Sequence, residues 1–244
     1  MITGIVVALP EELSTLTAKR LEKGCVGHLA EKIWVVYAGA GHENARIASE
    51  LLVKQGANQL ISWGCAAALD GSFRPGDLAL ANSCVDADNI EFDLNNEGWL
   101  IHTKTCLSKH LTVCCYTGKL AESRRIVSSS HDKAQIGTAT GAIALDMESV
   151  AIARVAKLHE MPFLSIRAIA DPLGMDLPKA VSHALNGQGE IILGKLLLFL
   201  LLHPAELPGL IKLGLHFYAA KKTLKHVAKQ INLVTTFLKD VSTT

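Results

Sequence analysis

The 244-residue chain lacks a CxxC pair among its six cysteines, a long apolar run, and a basic segment ahead of its short apolar start. Each absence excludes a class of protein. Without paired cysteine spacing there is no disulfide framework or zinc knuckle, and adjacent Cys114 and Cys115 read as small core hydrophobes. No window reaches the roughly 18 apolar residues of a spanning helix; Ile191–Leu202 comes nearest, and Lys195 interrupts it. Without a basic start no signal peptide is expected, so the chain reads as reduced and cytoplasmic. Charge of one sign is also missing: a net charge of +1 suits neither a nucleic-acid binder nor an acidic chaperone-like protein. Gly39-Ala40-Gly41 opens a helix after a strand, but GxGxxG spacing and a later acidic partner are absent, which disfavours a dinucleotide fold. Asp86, Asp88, Glu91, Asp93 and Glu97 lack the calcium-loop pattern, and His102 and His110 stand in no ligand spacing, so no metal is expected.

What is present alternates apolar strands with helical spacing over most of the length, the pattern of one α/β domain. Strands are expected at Ile2–Leu9, Lys32–Ala38, Gln59–Trp63, Leu78–Asn82 and Leu111–Thr117, and helices at Leu13–Glu22 and Glu43–Lys54. The polar stretch Ser83–Leu111 reads as a loop or short hairpins, suited to a subunit interface. The stretch from Ala144 to Asp171 (ALDMESVAIARVAKLHEMPFLSIRAIAD) reads as strand end, helix, strand. Asp146 can serve as the helix N-cap, with Glu148 in the first turn, where the macrodipole favours a carboxylate.

In an open α/β sheet, ligands collect beyond the carboxyl ends of the strands. Glu11 and Glu12 follow the first strand, and Glu148 and Asp171 stand at two others. Position alone is equally compatible with carboxylates that cap helices or face solvent.

The ordered motifs narrow this. DMES before an apolar helix, with a strand ending RAIAD, resembles the purine nucleoside phosphorylase and nucleosidase superfamily. It is most similar to the branch that cleaves 5′-substituted adenine nucleosides, such as methylthioadenosine/S-adenosylhomocysteine nucleosidase. The resemblance runs from Thr3 to about Leu200 and implies a three-layer α/β/α fold around a central mixed, twisted sheet. It implies that Asp171 protonates the departing purine at N7, with an aspartate there suiting 6-aminopurines. Glu148 would accept hydrogen bonds from the ribose hydroxyls, with Met147 against the sugar. ALPEE stands where relatives carry AMEEE, which places the water-activating carboxylate on Glu12, with Pro10 a departure at the turn. The loop Gly39–Gly41 would lie beside the ribose, and Arg46, one turn into the following helix, reads as a solvated helix residue sooner than as an anion ligand. Gly64, Cys65 and Ala66 begin GCAAALDG, where relatives carry glycines and a serine; here the alanines favour a left-handed backbone less readily. Gly118–Ser130 holds no phenylalanine or tryptophan where relatives stack the base. No metal or organic cofactor is implied, water being the nucleophile. A homodimer is implied as the assembly.

Leu177–Leu202, closing the expected catalytic unit of residues 1–202, reads as a helical region broken near Asn186-Gly187, and a 203–244 segment read as a helical extension follows. A break at His203–Pro208 leads into one helix from Gly209 to Lys239, with an apolar seam at 210, 213, 217, 220, 224, 227, 231, 234 and 238. Lys212, Lys221, Lys222, Lys225 and Lys229 stand off the seam. LGKLLLFLLL followed by HPAELPGLIKLGLHFYAAKKTLKHVA resembles the tail of the hopanoid-associated phosphorylase family. That resemblance implies release of adenine from adenosylhopane to leave ribosylhopane. The seam must be covered by its own domain, a second subunit or lipid, and with its basic flank it can line a lipid substituent or rest peripherally on the inner face of the cytoplasmic membrane. The rival readings are a phosphate-dependent phosphorylase, a methylthioadenosine/S-adenosylhomocysteine or futalosine nucleosidase, and a noncatalytic nucleoside-binding membrane protein.

Overall fold

Runs of β-branched and aliphatic residues form the middle of the sheet, because a strand covered on both faces needs no polar side. The computed structural model describes residues 1–94, 96–184 and 193–236. Its strands are β1 (Thr3–Val7), β2 (Val26–Ala30), β3 (Ile33–Tyr37), β4 (Gln59–Ala68), β5 (Leu78–Val85), β6 (Glu91–Asp93), β7 (Cys115–Glu122), β8 (Ala144–Asp146) and β9 (Phe163–Asp171). Its helices are α1 (Pro10–Leu16), α2 (His42–Lys54), α3 (Glu97–Ser108), α4 (Ser130–Thr140), α5 (Ser149–Leu158), α6 (Lys179–Ala184), α7 (Leu193–Leu202), α8 (Leu207–Ala228) and α9 (Ile231–Thr235).

The strands form one mixed sheet in the order β2-β3-β1-β4-β8-β7-β5-β6, with β9 paired to both β4 and β5. β1 lies parallel to β3 and β4, and β9 lies parallel to β4 but antiparallel to β5. The pairings β4–β8–β7–β5–β9–β4 close on themselves, so the middle of the sheet curls into a ring. Along β1, Val6 faces one core while Ile5 and Val7 face the other. The first core is covered by α2 and α5 through Ala45, Ala48, Leu52, Val150 and Val155. The second is covered by α1, α3 and α8 through Leu13, Trp99, Leu107 and Leu224. These are the expected three layers.

Several local expectations change. GCAAA is not a loop: β4 continues through Ala68, extended backbone that alanine adopts freely, so the missing glycines cost nothing there. Pro10 sits at the start of α1, where its missing N–H has no helical partner to lose. Ser83–Leu111 contains the twelve-residue α3, held through Trp99, Leu100 and Leu107. β7 begins later than expected and runs to Glu122; Cys114 precedes it and is exposed, not a core residue. At α5 the N-cap position belongs to Glu148, while Asp146 Oδ1 accepts from the Glu148 and Ser149 amides at 3.1 and 2.9 Å.

The C-terminal helices are present, but the helix expected from Gly209 starts at Leu207 and breaks at Lys229–Gln230. Residues 237–239 of that expectation, with seam residue Leu238, and the break expected at Asn186-Gly187 lie outside the described residues. The seam had three partners open to it: its own domain, a second subunit or lipid. Ala220, Leu224, Val227 and Val234 are buried in the core beside Ile166 and Ala168 of β9. Burying a Leu or Val side chain is worth about 1.5–3 kcal/mol, so Leu224, Val227 and Val234 supply roughly 5–9 kcal/mol. That is comparable to the whole stability of a domain, about 5–15 kcal/mol; a chain ended at Leu202 lacks part of its core. The opposite face differs. Leu207, Ile211, Leu215 and Tyr218 of α8 are exposed, as are Leu198, Leu201 and Leu202 of α7.

Candidate active site

Three carboxylates meet at one cleft because three chain segments turn there at the edge of the sheet. Glu12 is in the first turn of α1 after β1, Glu148 follows β8, and Asp171 ends β9. All three line a cleft of about 320 Å³, with Met147, Cys65 and Ala66. Ala40 lines it from between Gly39 and Gly41. From the helical side come Leu177, Val181, Leu213 and Phe217.

Glu12 is fixed by backbone donors. Leu9, the N-cap of α1, has no side-chain acceptor, and Glu12 reaches back from the third helical position, the acidic half of a capping box. Its Oε2 accepts from the Ala8 and Leu9 amides at 3.1 and 3.0 Å, and its Oε1 from the Cys65 amide at 2.8 Å. Gly64 makes this approach possible: a Cβ there would stand 2.3 Å from Glu12 Oε1 and 2.4 Å from Arg167 Nη1. Burial raises the Glu12 carboxyl above its ordinary pKa, opposed by Arg167 and the three amides. The result is a carboxylate more basic than one at the surface.

Arg167, unmarked in the sequence except as the first letter of RAIAD, is the centre of the site. It is 1% exposed in the middle of β9. Its Nε lies 2.6 Å from Asp146 Oδ2, its Nη2 donates to Ser62 Oγ at 2.6 Å, and Glu148 Oε2 stands 3.9 Å away. Its only sequence signal was a charge inside an otherwise apolar strand, which is rare unless paired. One guanidinium thus bridges the Glu12 and Glu148 sides of the cleft.

Glu148 Oε1 accepts from the Gly41 amide at 2.8 Å, and Gly41 adopts φ 98°, a backbone that disfavours any side chain. Burial pushes the Glu148 carboxyl up to about 7, with Arg167 lowering it and Asp146 raising it. An ionised carboxylate accepts on both oxygens, as two sugar hydroxyls require, whereas protonation turns one of those oxygens into a donor. KM for a nucleoside is therefore expected to rise as pH falls below about 7 and to level off above it; a steady-state series from pH 5.5 to 8.5 measures this, and a flat KM refutes that role for Glu148.

Asp171 Oδ1 accepts from Lys133 Nζ at 2.7 Å. Its pKa lies above the ordinary value because burial outweighs the lowering by Lys133. The other readings fare unequally. Gly39 frames the cleft without lining it, and Cys65 lines it with a thiol that burial keeps protonated. Arg46 is exposed and paired with Glu43 at 2.6 Å, so it is not an anion ligand in the cleft. The segment expected to stack the base contributes Ser123, Arg125, Ile126 and Val127, whereas Phe217 supplies an aromatic ring from α8. Among the described residues no His, Cys, Asp and Glu cluster has metal-site form.

Comparison with known proteins gives the family and the fold. A model described as the phosphorylase superfamily matches residues 3–196. A 5′-methylthioadenosine/S-adenosylhomocysteine nucleosidase of Thermotoga maritima is 27% identical over 170 residues, covering 68% of this chain and 76% of its own. One from Staphylococcus aureus is 25% identical, covering 69% and 85%. Among solved structures, a mutant Helicobacter pylori methylthioadenosine nucleosidase with 5′-methylthioadenosine in its active site shares the fold at a TM-score of 0.70 and 16% identity, covering 98% of each chain. Futalosine hydrolase of the same organism has a TM-score of 0.68 at 16% identity, covering 95% of this chain and 96% of its own. The chain belongs to the phosphorylase superfamily.

Proposed function

We propose that the protein is a hydrolase that releases adenine from a 5′-substituted adenosine. The observation that carries this is the placing of Glu12, Glu148 and Asp171 on one cleft with Arg167 between the first two. Cleaving a purine N-glycosidic bond puts positive charge on the ribose and negative charge on the base. Glu12 takes a proton from the attacking water and Glu148 holds the ribose hydroxyls. Asp171 gives a proton to N7, so the base leaves neutral. Opposed carboxylates around a cationic sugar follow the logic of glycosidases. Water is favoured over phosphate because Glu12 stands at the cleft, whereas Arg46 is engaged at the surface and Cys65 replaces the serine of a phosphate set.

The 5′ substituent in this reading is a lipid, as in adenosylhopane, leaving ribosylhopane. Leu213 and Phe217 give one wall of the cleft an apolar surface, and Leu207, Ile211, Leu215 and Tyr218, exposed on the outer face of the same helix, offer an apolar stripe to a bilayer. Lys222, Lys225 and Lys229 stand exposed on the next turns of that helix, a basic flank suited to an anionic bilayer. No helix among the described residues is long and apolar enough to cross a membrane, so the contact is peripheral. Chromatography of the products with and without phosphate tests the reaction, using soluble 5′-methylthioadenosine and vesicle-borne adenosylhopane. Free adenine in phosphate-free buffer is expected, with faster release from the lipid. A phosphate requirement overturns hydrolysis, and equal handling of both substrates overturns the lipid assignment.

A further inference from the structure

Lys133 has no part in the mechanism above, yet it is the most completely enclosed charge near the cleft. It lies on α4 and is 0% exposed. Its ammonium donates to Asp171 Oδ1 at 2.7 Å, to the Pro172 carbonyl at 2.9 Å and to the Met175 carbonyl at 2.7 Å. Three N–H bonds therefore meet three acceptors, and the group is saturated. Enclosing an ammonium this fully is costly unless it is paired. Lys133 is the one fully buried residue of α4, while Ile136, a turn further on, packs partly buried against the cluster of Leu69, Ala121 and Leu145.

We infer that Lys133 is a positioning residue for the leaving-group acid: it occupies Oδ1 of Asp171, leaves Oδ2 as the proton-bearing oxygen, and stabilises the carboxylate that remains after transfer. This rests on the reading of Asp171 as that acid. In the step, the Oδ2–H bond breaks as the proton bonds to purine N7. The glycosidic electron pair goes to the base, and Asp171 is left as an anion beside a fixed cation. Solvent returns the proton after release. The ammonium thus favours the transition state over the protonated ground state, which raises kcat more than it changes KM.

Other charges near Asp171 do not replace it. Asp176, in the turn after β9, acts in the opposite sense and is itself bonded to the Ser130 amide at 2.6 Å. Arg167, on the same strand, is held by Asp146. Glu12, Glu148 and Arg125 line the cleft, and Lys221 of α8 acts at its Cys65 end. The sign for pH follows. Burial raises the Asp171 pKa and Lys133 opposes it, so removing the ammonium lets it rise further. The acid works protonated, so activity is lost as pH rises through that pKa. Without Lys133 the alkaline limb of kcat moves to higher pH while the maximum falls, because a weaker acid transfers its proton less readily.

The test compares Lys133→Gln, which keeps hydrogen bonding to the carbonyls but not the charge, with Lys133→Arg, which keeps the charge. Lys133→Gln is expected to lower kcat about 10- to 100-fold, with KM within about threefold and the alkaline limb raised by about one pH unit. Lys133→Arg should keep its limb at the wild-type position. In an Asp171→Asn background, Lys133→Gln should cost less than about twofold, since coupled residues are non-additive. A full loss in that background, or an unmoved limb in Lys133→Gln, overturns the inference and leaves Lys133 a structural tie. If Lys133→Gln does not fold, the Arg variant decides: a displaced limb with the charge retained sinks the proposal. Wild-type turnover by Asp171→Asn alone would instead remove the acid reading beneath it.

Discussion

Glu12→Gln is expected to abolish adenine release, with kcat down by about 10³-fold and no rescue by added phosphate. The amide keeps the shape of the carboxylate but presents an N–H₂ to one side of a nest of donors, the Ala8, Leu9 and Cys65 amides. It has no basicity to offer water. Arg167 loses one of its carboxylate neighbours, so the defect includes some reorientation of the guanidinium. Folding should survive, because Glu12 closes a seven-residue helix that the core also holds through Leu13. Adenine release by chromatography, with circular dichroism to confirm folding, reads the result. Substantial phosphate-dependent turnover in the variant would make phosphate the nucleophile.

Asp171→Asn is the second large effect. It is expected to slow adenine release about 10²-fold while KM changes little, because the proton is needed only as the bond breaks. The Asn side chain still offers an oxygen to the Lys133 ammonium, which preserves the turn through Pro172 and Met175. Single-turnover release separates this from binding. Turnover within a few-fold of wild type would take Asp171 out of the chemistry.

These carboxylates were legible because each stands where an apolar run stops, and strand ends are where such sheets place ligands. What the sequence hid was tertiary. Arg167 looks like one letter of a strand, and only the fold brings Asp146, Glu148 and Ser62 around it. α4 is hidden because SHDKAQIGTAT has no apolar stripe; its one fully buried residue is Lys133, a side chain whose charge points to solvent in a sequence pattern. α3 was hidden in the same way by its mixed polar sequence. β2 is a half-exposed edge strand without a clear alternation. The alanines after Gly64 suggested a weakened loop because a family pattern was read as a turn, whereas strand pairing with β9 carries β4 through them. The C-terminal seam is legible as a face that needs covering, but which surface covers it depends on where β9 lies.

The ring of strands also sets when this protein can first become active during synthesis. β4 finds its parallel partner β9 about a hundred residues later, through pairs from Leu60–Phe163 to Cys65–Ala168. Such long-range parallel pairing forms slowly. Asp171 has no fixed position until that register closes, and the cleft wall at Phe217 arrives later still. Chains emerge amino end first, at about 5–20 residues per second. A nascent chain therefore carries Glu12 for several seconds before Asp171 can join it, and the cleft closes in one late event once α8 has left the ribosome.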